Sequence, residues 1–348
     1  MEPGNKHKYL ELLTTAGMLL SLSGCTGSNT ETVPAAPPSD SAVSGFHVSG
    51  TKLLDKNNNE FVMRGINHPH SWYRDMDETA ITAIAATGAN CIRLVLSDGV
   101  QWSRDDADTI SALIDMCEKN ELVAIVEVHD ATGYNDVDSL RTAADYWIEV
   151  KDALEGTEDR VILNIANEWI GGWDSRTWGS GYTEVIPKLR EAGIKNTIMV
   201  DAAGWGQYGK SIADKGAQVF LSDPDANTMF SVHMYGSSGR NEKKITKNLR
   251  YASDQGLCVC VGEFGWKHSD GDVDEDFIMR YCTENDLGYL GWSWTGNSGG
   301  VEYLDITNAW DGSELTPEWG VNLIEGEYGI RATSKKCSVF GSEVKDKE

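Results

Sequence analysis

The chain has 348 residues, 40% of them hydrophobic, which suffices to bury a substantial core in one large domain or two ordinary ones and excludes disorder and a miniature disulfide scaffold. Acidic residues outnumber basic ones 54 to 30, for a formal net charge of -24, so phosphate tracking is disfavoured and no nucleic-acid partner is expected. Twelve Trp and twelve Tyr accompany 36 Gly, a composition that suits a sugar-binding groove of flat aromatic faces and carboxylates, unless most of the Trp are core.

Residues 1–24 carry Lys6 and Lys8 and then an apolar stretch from Leu12 to Leu22, too short to cross a bilayer as a permanent helix and suited to a secretory signal. The stretch ends in Leu22-Ser23-Gly24-Cys25, which resembles the lipobox of bacterial lipoproteins. That resemblance implies a lipidated Cys25 as the chain's one membrane anchor, the alternative being an ordinary signal peptide with an incidental cysteine. Residues 25–44 read as a Pro- and Ser-rich tether that cannot bury enough apolar surface to order itself, so the folded part is expected outside the cell, held to the bacterial envelope.

Phe46 to Glu60 reads as a hairpin turning at Asn57-Asn58-Asn59, placed where it would plug the floor of a barrel. Short apolar runs then begin at Phe61, Cys91, Leu122, Val161, Thr197, Thr228, Leu257 and Leu287, at the spacing of a strand-loop-helix-loop unit rather than the 8–12 residues of an all-β sandwich. The segments between them have helical periodicity. Asp77 to Gly88 places Asp77 as cap and Gly88 as terminator, and Ser103 to Asn120 offers Ser103 and Asp106 as a capping box before Ile110, Leu113, Ile114 and Cys117. Eight such units predict an α/β fold, a (β/α)8 barrel forming one catalytic domain over residues 45–330, with a polar tail fraying from 331 to 348. A doubly wound open sheet competes, but Arg64-Gly65-Ile66-Asn67-His68 is no glycine-rich phosphate loop. Cys258 and Cys260 alternate along one run and so share a face without bridging, and no cysteine or histidine spacing suggests a metal or other cofactor.

In such a barrel the chemistry sits where strands run into helices. The eight runs end in Asn67 to Trp72, Arg93, His129-Asp130, Asn167-Glu168-Trp169, Asp201 to Trp205, His233-Met234-Tyr235, Gly262-Glu263-Phe264-Gly265 and Trp292-Ser293-Trp294. Glu168 and Glu263 each close a run too apolar to solvate a carboxylate. Paired carboxylic acids without a metal-ligand set suit glycoside hydrolysis, in which one donates a proton to the leaving oxygen and the other attacks the anomeric carbon or activates water; two unrelated surface glutamates are the alternative.

The ordered series Arg93, Asn167-Glu168, His233-Met234-Tyr235, Glu263 and Trp292 resembles glycoside hydrolase family 5 over roughly residues 45–326, and the surrounding words look most like its bacterial endo-β-1,4-mannanase branch. The resemblance implies a retaining β-glycanase with Glu168 as acid/base, Glu263 as nucleophile and Asn167 on the 2-hydroxyl of the sugar being cleaved. It further implies that Arg93 and Tyr235 hold Glu263 ionised, that His129 and His233 shape the same subsite, and that Trp292 is the sugar platform, with Trp294 taking that place if the register differs by one strand step. Trp72, Trp169, Trp173, Trp178 and Trp205 are placed on rim loops, Trp72 and Trp205 as substrate contacts. The chain departs from the branch where Trp266 replaces a frequent His and Thr295 a frequent Lys, positions expected to touch substrate preference. The expected partner is β-mannan or a related plant polysaccharide, and the expected state a monomer. The rivals are a cellulase or xyloglucanase on the same barrel and a non-catalytic polysaccharide-binding lipoprotein.

Overall fold

The computed structural model describes residues 45–341, so the signal, lipobox and tether expectations for residues 1–44 lie outside the described residues. Two short strands, β1 (His47–Ser49) and β2 (Lys52–Leu54), form an antiparallel hairpin. Its turn is at Gly50, where φ is +61, rather than at Asn57-Asn58-Asn59, which make a second turn closed by the Leu54–Glu60 bridge. Phe46 stacks on Phe61 at 5.2 Å, and its carbonyl accepts hydrogen bonds from Thr197 and Asn227 at the amino ends of two barrel strands, so the hairpin does cover the floor.

Each of the eight apolar runs contains a strand: β3 (Arg64–His68), β4 (Cys91–Leu96), β5 (Val123–Val128), β6 (Val161–Asn164), β7 (Thr197–Asp201), β8 (Thr228–Met234), β9 (Val259–Phe264) and β12 (Gly288–Gly291). All pair in parallel and in order, and β12 closes the barrel between β9 and β3. Every strand residue is buried, because the inner faces fill the barrel and the outer faces meet helices; the runs are therefore continuously apolar instead of alternating. A small hairpin, β10 (Lys267–His268) and β11 (Gly271–Asp272), follows β9 at the rim.

The surrounding helices are α1 (Asp77–Ala86), α2 (Ala107–Lys119), α3 (Val137–Glu149), α4 (Ser175–Glu191), α5 (Lys210–Ser222), α6 (Glu242–Ser253), α7 (Glu275–Glu284) and the shorter α8 (Gly320–Glu325). Asp106, Asp136, Asp174, Asn241 and Asp274 cap α2, α3, α4, α6 and α7 by accepting first-turn N–H groups, so a short polar side chain fixes each of these starts. The capping-box reading of α2 is corrected in detail: the helix begins after Asp106, which accepts from Thr109, and Ser103 lies outside it. Asp77 caps nothing. Its carboxylate lies 2.8 Å from both His68 and His70, two buried rings that outbid the backbone for it.

The tail differs from expectation as well. A further turn, α9 (Ile330–Thr333), packs on the barrel, Thr333 accepts from Arg64, Lys335 accepts from Asn90 through its carbonyl, and Cys337 is buried. The fold therefore continues to Gly341, because this segment satisfies the buried Arg64 guanidinium and Asn90 side-chain amide instead of facing solvent. All six cysteines among the described residues are buried and unbridged, Cys258 and Cys260 included.

On the α4–α5 side, Arg190 makes a bidentate pair with Asp223 at 2.9 and 3.0 Å and donates to the carbonyls of Ile194, Asn196 and Asn227. Removing one partner of a buried pair leaves the other charge uncompensated, a loss of about 3–5 kcal/mol. Asp223→Ala should lower unfolding free energy in urea by that amount while leaving kcat unchanged at 25 °C; a loss under about 1 kcal/mol would contradict this account.

Candidate active site

The carboxyl ends of the strands converge on Arg93. Its guanidinium, fully buried, donates to Glu263 at 2.9 Å, Asn167 at 2.7 Å, Asn164 at 2.8 and 3.1 Å, and Asn67 at 3.0 Å. Glu127 and Asp201 stand 3.6 and 3.5 Å from it. This many carboxylates push the guanidinium above even its ordinary range, although burial opposes the shift.

Glu263 enters the site through a break in strand pairing. Val232 aligns with Val261, but His233 aligns with Glu263, so Gly262 is the extra residue of a bulge. Only glycine fits there: a Cβ would come within 2.2 Å of Ser231 Oγ. The bulge re-aims Glu263, whose Oε1 takes Arg93 and whose Oε2 accepts the Tyr235 hydroxyl at 2.9 Å. Burial raises the Glu263 carboxyl above the usual carboxylate range, opposed by His233 and Arg93. Arg93 and Tyr235 do contact Glu263 as expected, but burial, which favours the neutral carboxyl, outweighs the opposing charges of His233 and Arg93.

Glu168 sits past the end of β6 with φ at +42, a left-handed conformation unfavourable for a residue with a side chain. Two hydrogen bonds hold it there, its N–H to Asp201 Oδ2 at 3.0 Å and its carbonyl from Gly133 at 3.0 Å. Its Oε1 lies 2.7 Å from Nδ1 of His233. Glu168, His233 and Glu263 each offer an atom within 4.8 Å of the others, a close approach of the two carboxylates that suits the roughly 5–5.5 Å separation of retaining glycosidases better than the wider inverting one.

A cleft of about 750 Å³ opens over this pair, lined among others by Trp72, His129, Asn167, Trp173, Trp205 and Trp292. His129 rests against Trp292 at 5.7 Å and nearly parallel, and Trp72 meets the same His129 edge-on at 5.3 Å. His129 is held from behind by Glu127 at 2.9 Å, which favours its imidazolium although burial opposes it. Trp205, φ +57 and 47% exposed, lies against Gly133 and Gly171, where any Cβ would strike its ring. It therefore has one face seated on backbone and the other open to the cleft.

The family model described as cellulase (glycosyl hydrolase family 5) matches residues 54–298. The chain belongs to glycosyl hydrolase family 5. Among its relatives, a mannan endo-1,4-beta-mannosidase from Salipaludibacillus agaradhaerens is 55% identical over 296 residues, which cover 85% of this chain and 96% of that protein. A mannohexaose complex of the Thermomonospora fusca beta-mannanase superposes with a TM-score of 0.80 at 42% identity, covering 85% of this chain and 99% of the other. A cellulase from a Thermoanaerobacterium species is 25% identical, over 83% of this chain and 80% of its own length.

The structure brings Arg93, His129, Asn167, Glu168, His233, Tyr235, Glu263 and Trp292 together, with Trp72 and Trp205 on the cleft. Trp294 is not among them. It is fully buried and donates to the Trp310 carbonyl at 2.9 Å, whereas Trp292 lines the cleft; residues two apart share a face on a regular strand, so the two part because the chain leaves strand geometry after Gly291, where β12 ends. Trp169 and Trp178 are core too, the latter inside α4, while Trp173 reaches the cleft. Trp266 and Thr295 lie off the cleft; Trp266 donates to Tyr303 and carries Lys267 on its ring at 4.1 Å, and Thr295 is buried. Sequence reasoning passed over Glu127, Asn164 and the contacts of Asp201, each a polar residue on a continuously apolar strand, which is the signal that marks them.

A hydrogen bond to a charged acceptor is worth about 1.5–3 kcal/mol, or roughly one to two pH units. Tyr235→Phe removes a donor that favours ionised Glu263, so its carboxyl should rise further and the acid limb of kcat/KM should move upward by about one unit. An acid limb that stays put or moves down would show that Tyr235 does not act on Glu263.

Proposed function

We propose that the chain is a retaining endo-β-1,4-mannanase acting on mannan and glucomannan by double displacement. The observation that carries this is the narrow carboxylate gap between Glu168 and Glu263 in a family 5 barrel whose close relatives are mannan endo-1,4-beta-mannosidases. Glu168 gives its proton to the glycosidic oxygen as that bond to the anomeric carbon breaks, and Glu263 forms the new bond from the opposite face. Glu168 then takes a proton from water, whose oxygen displaces Glu263 with a second inversion. Arg93 and Tyr235 orient Glu263, Asn167 contacts the 2-hydroxyl, and Trp292 lies beneath the ring.

The cellulase reading uses the same glutamates and differs in how the 2-hydroxyl is read: axial in mannose, in the mean plane of the ring in glucose. A site built for the axial oxygen leaves a buried polar group unpaired with glucan, at about 1–3 kcal/mol, which is roughly tenfold to a hundredfold in rate. kcat/KM should accordingly be at least about tenfold higher on glucomannan and unbranched mannan than on carboxymethylcellulose. Comparable values would return the chain to the cellulase reading.

Leu22-Ser23-Gly24-Cys25 and the polar stretch after it support a lipid anchor that holds the enzyme outside the cell at the bacterial envelope. Cys25→Ser expressed in a bacterial host should lose fatty-acid labelling and leave the detergent phase. Unchanged partitioning would refute the anchor.

A further inference from the structure

Asp201, the last residue of β7, takes no part in either displacement, yet its two oxygens serve two parts of the acid/base. Oδ2 accepts the Glu168 N–H at 3.0 Å, and Oδ1 lies 3.5 Å from Nε2 of His233, whose other nitrogen is 2.7 Å from Glu168 Oε1. His233 Nε2 is buried without a hydrogen-bond partner at normal distance, and the Asp201 carboxylate is what faces it. The ring packs closely against two glycines: a Cβ on Gly206 would lie 2.5 Å from its Cγ, and one on Gly262 would lie 3.2 Å from Nε2. The remaining charges around His233 are Glu168 and Glu263, the latter 3.5 Å from Nδ1.

We propose that Asp201 is a positioning residue that acts on the acid/base through His233. Its charge on one edge, with Glu168 and Glu263 on the other, keeps a proton on both ring nitrogens, so Nε2 faces Asp201 as a donor and Nδ1 donates to Glu168 Oε1. That leaves Oε2 to bear the proton delivered to the leaving oxygen. Its second oxygen meanwhile fastens the Glu168 backbone in the left-handed region. Without the carboxylate the ring can give up one proton, and whenever the remaining one sits on Nε2 the bare Nδ1 accepts from Glu168, so that His233 competes with the substrate for the acid's proton. The directions of the shifts agree: His233 is held well above the ordinary imidazole range although burial opposes this, with Glu263 and Asp201 the main causes, and Asp201 is brought down to about 2 by His233 and Arg93 against its own burial.

The inference rests on the reading of Glu168 as the acid/base, and the test separates the two. Asp201→Ala removes the charge from Nε2, whereas Asp201→Asn, with its oxygen on the Glu168 N–H, turns amide hydrogens towards Nε2 and leaves the ring's proton on Nδ1, so Asn should lose less than Ala. kcat/KM is measured on aryl β-mannobiosides whose leaving groups run from dinitrophenol, which needs no proton, to unactivated phenols, and on mannohexaose. A general acid is worth about 10²–10⁴ where protonation is needed. Asp201→Ala should thus stay within about threefold of wild type on the dinitrophenyl substrate and fall at least about thirtyfold on mannohexaose. In a Glu168→Ala background the same change should add less than about twofold, because its route is already cut. A burst of dinitrophenol counts folded sites; if the variant does not fold, His233→Gln breaks the same chain one link nearer Glu168 and must show the same steepened leaving-group dependence. An equal loss across the series, or full additivity with Glu168→Ala, overturns the proposal. If Glu168→Ala itself loses rate equally on all substrates and azide restores nothing, the acid/base assignment falls instead.

Discussion

A guanidinium that is wholly out of water, at the point where eight strands converge, is the constraint to which the rest of this site answers. Arg93 cannot be deprotonated and cannot be left unpaired, so the strand ends around it supply acceptors: Asn67 from β3, Glu127 from β5, Asn164 and Asn167 from β6 and its exit, Asp201 from β7 and Glu263 from β9. One cation among so many carboxylates is not enough. The two nearby histidines make up the difference, since both His129 and His233 are pushed towards their imidazolium forms by the carboxylates behind them. The cations and carboxylates at the strand ends thus offset one another in a dry interior, where each such contact counts for more than it would in water.

Backbone strain appears beside this cluster and is tied down by it. Glu168 and Trp205 both adopt positive φ, and each is fixed by bonds to neighbouring elements: Glu168 to Asp201 and Gly133, Trp205 to Ile170. The bulge at Gly262 belongs to the same construction, because without it Glu263 would alternate away from Arg93. The barrel thus supplies rigid strand ends, and small local departures from strand geometry aim the reacting groups. Glycines at 133, 171, 206 and 262 leave room for Trp205 and His233 to lie where they do.

The barrel was legible in the chain because strands buried on both faces must be continuously apolar, and eight such runs at regular spacing fit few architectures besides a closed parallel sheet. Glu168, Glu263 and Arg93 were legible for the complementary reason, as charges at the ends of runs that cannot solvate them. What the chain hid depends on geometry beyond the local pattern. Trp292 and Trp294 are two residues apart, and only the path of the chain after β12 sends one to the cleft and the other to Trp310. Asp77 looks like a helix cap until His68 and His70, brought beside it by the β3 exit, claim its carboxylate. The polar residues after 330 look solvated, and instead satisfy Arg64 and Asn90 at the barrel's edge. Glu127 was read as part of an apolar run, although a charge inside such a run is the same kind of signal that revealed Arg93.

The network also fixes which atoms face the cleft. Arg93 has donors only, so its contact with Asn167 fixes the amide with Oδ1 towards the guanidinium and Nδ2 outward. Nδ2 gives one hydrogen to Thr132 Oγ1 at 2.9 Å, leaving the second free at the cleft. A hydroxyl at that point must therefore accept a hydrogen bond. Because Arg93 also holds Glu263, the group proposed to read the 2-hydroxyl and the group proposed to attack the neighbouring anomeric carbon share one rigid anchor. Their separation cannot drift independently, so a sugar whose 2-hydroxyl points elsewhere loses the bond without the site being able to follow it. In the proposed mechanism, selectivity for the configuration at that carbon and positioning for attack are consequently one property of Arg93's surroundings, while the aromatic surfaces of Trp72, Trp205 and Trp292 on the cleft would hold the ring without reading that hydroxyl's direction.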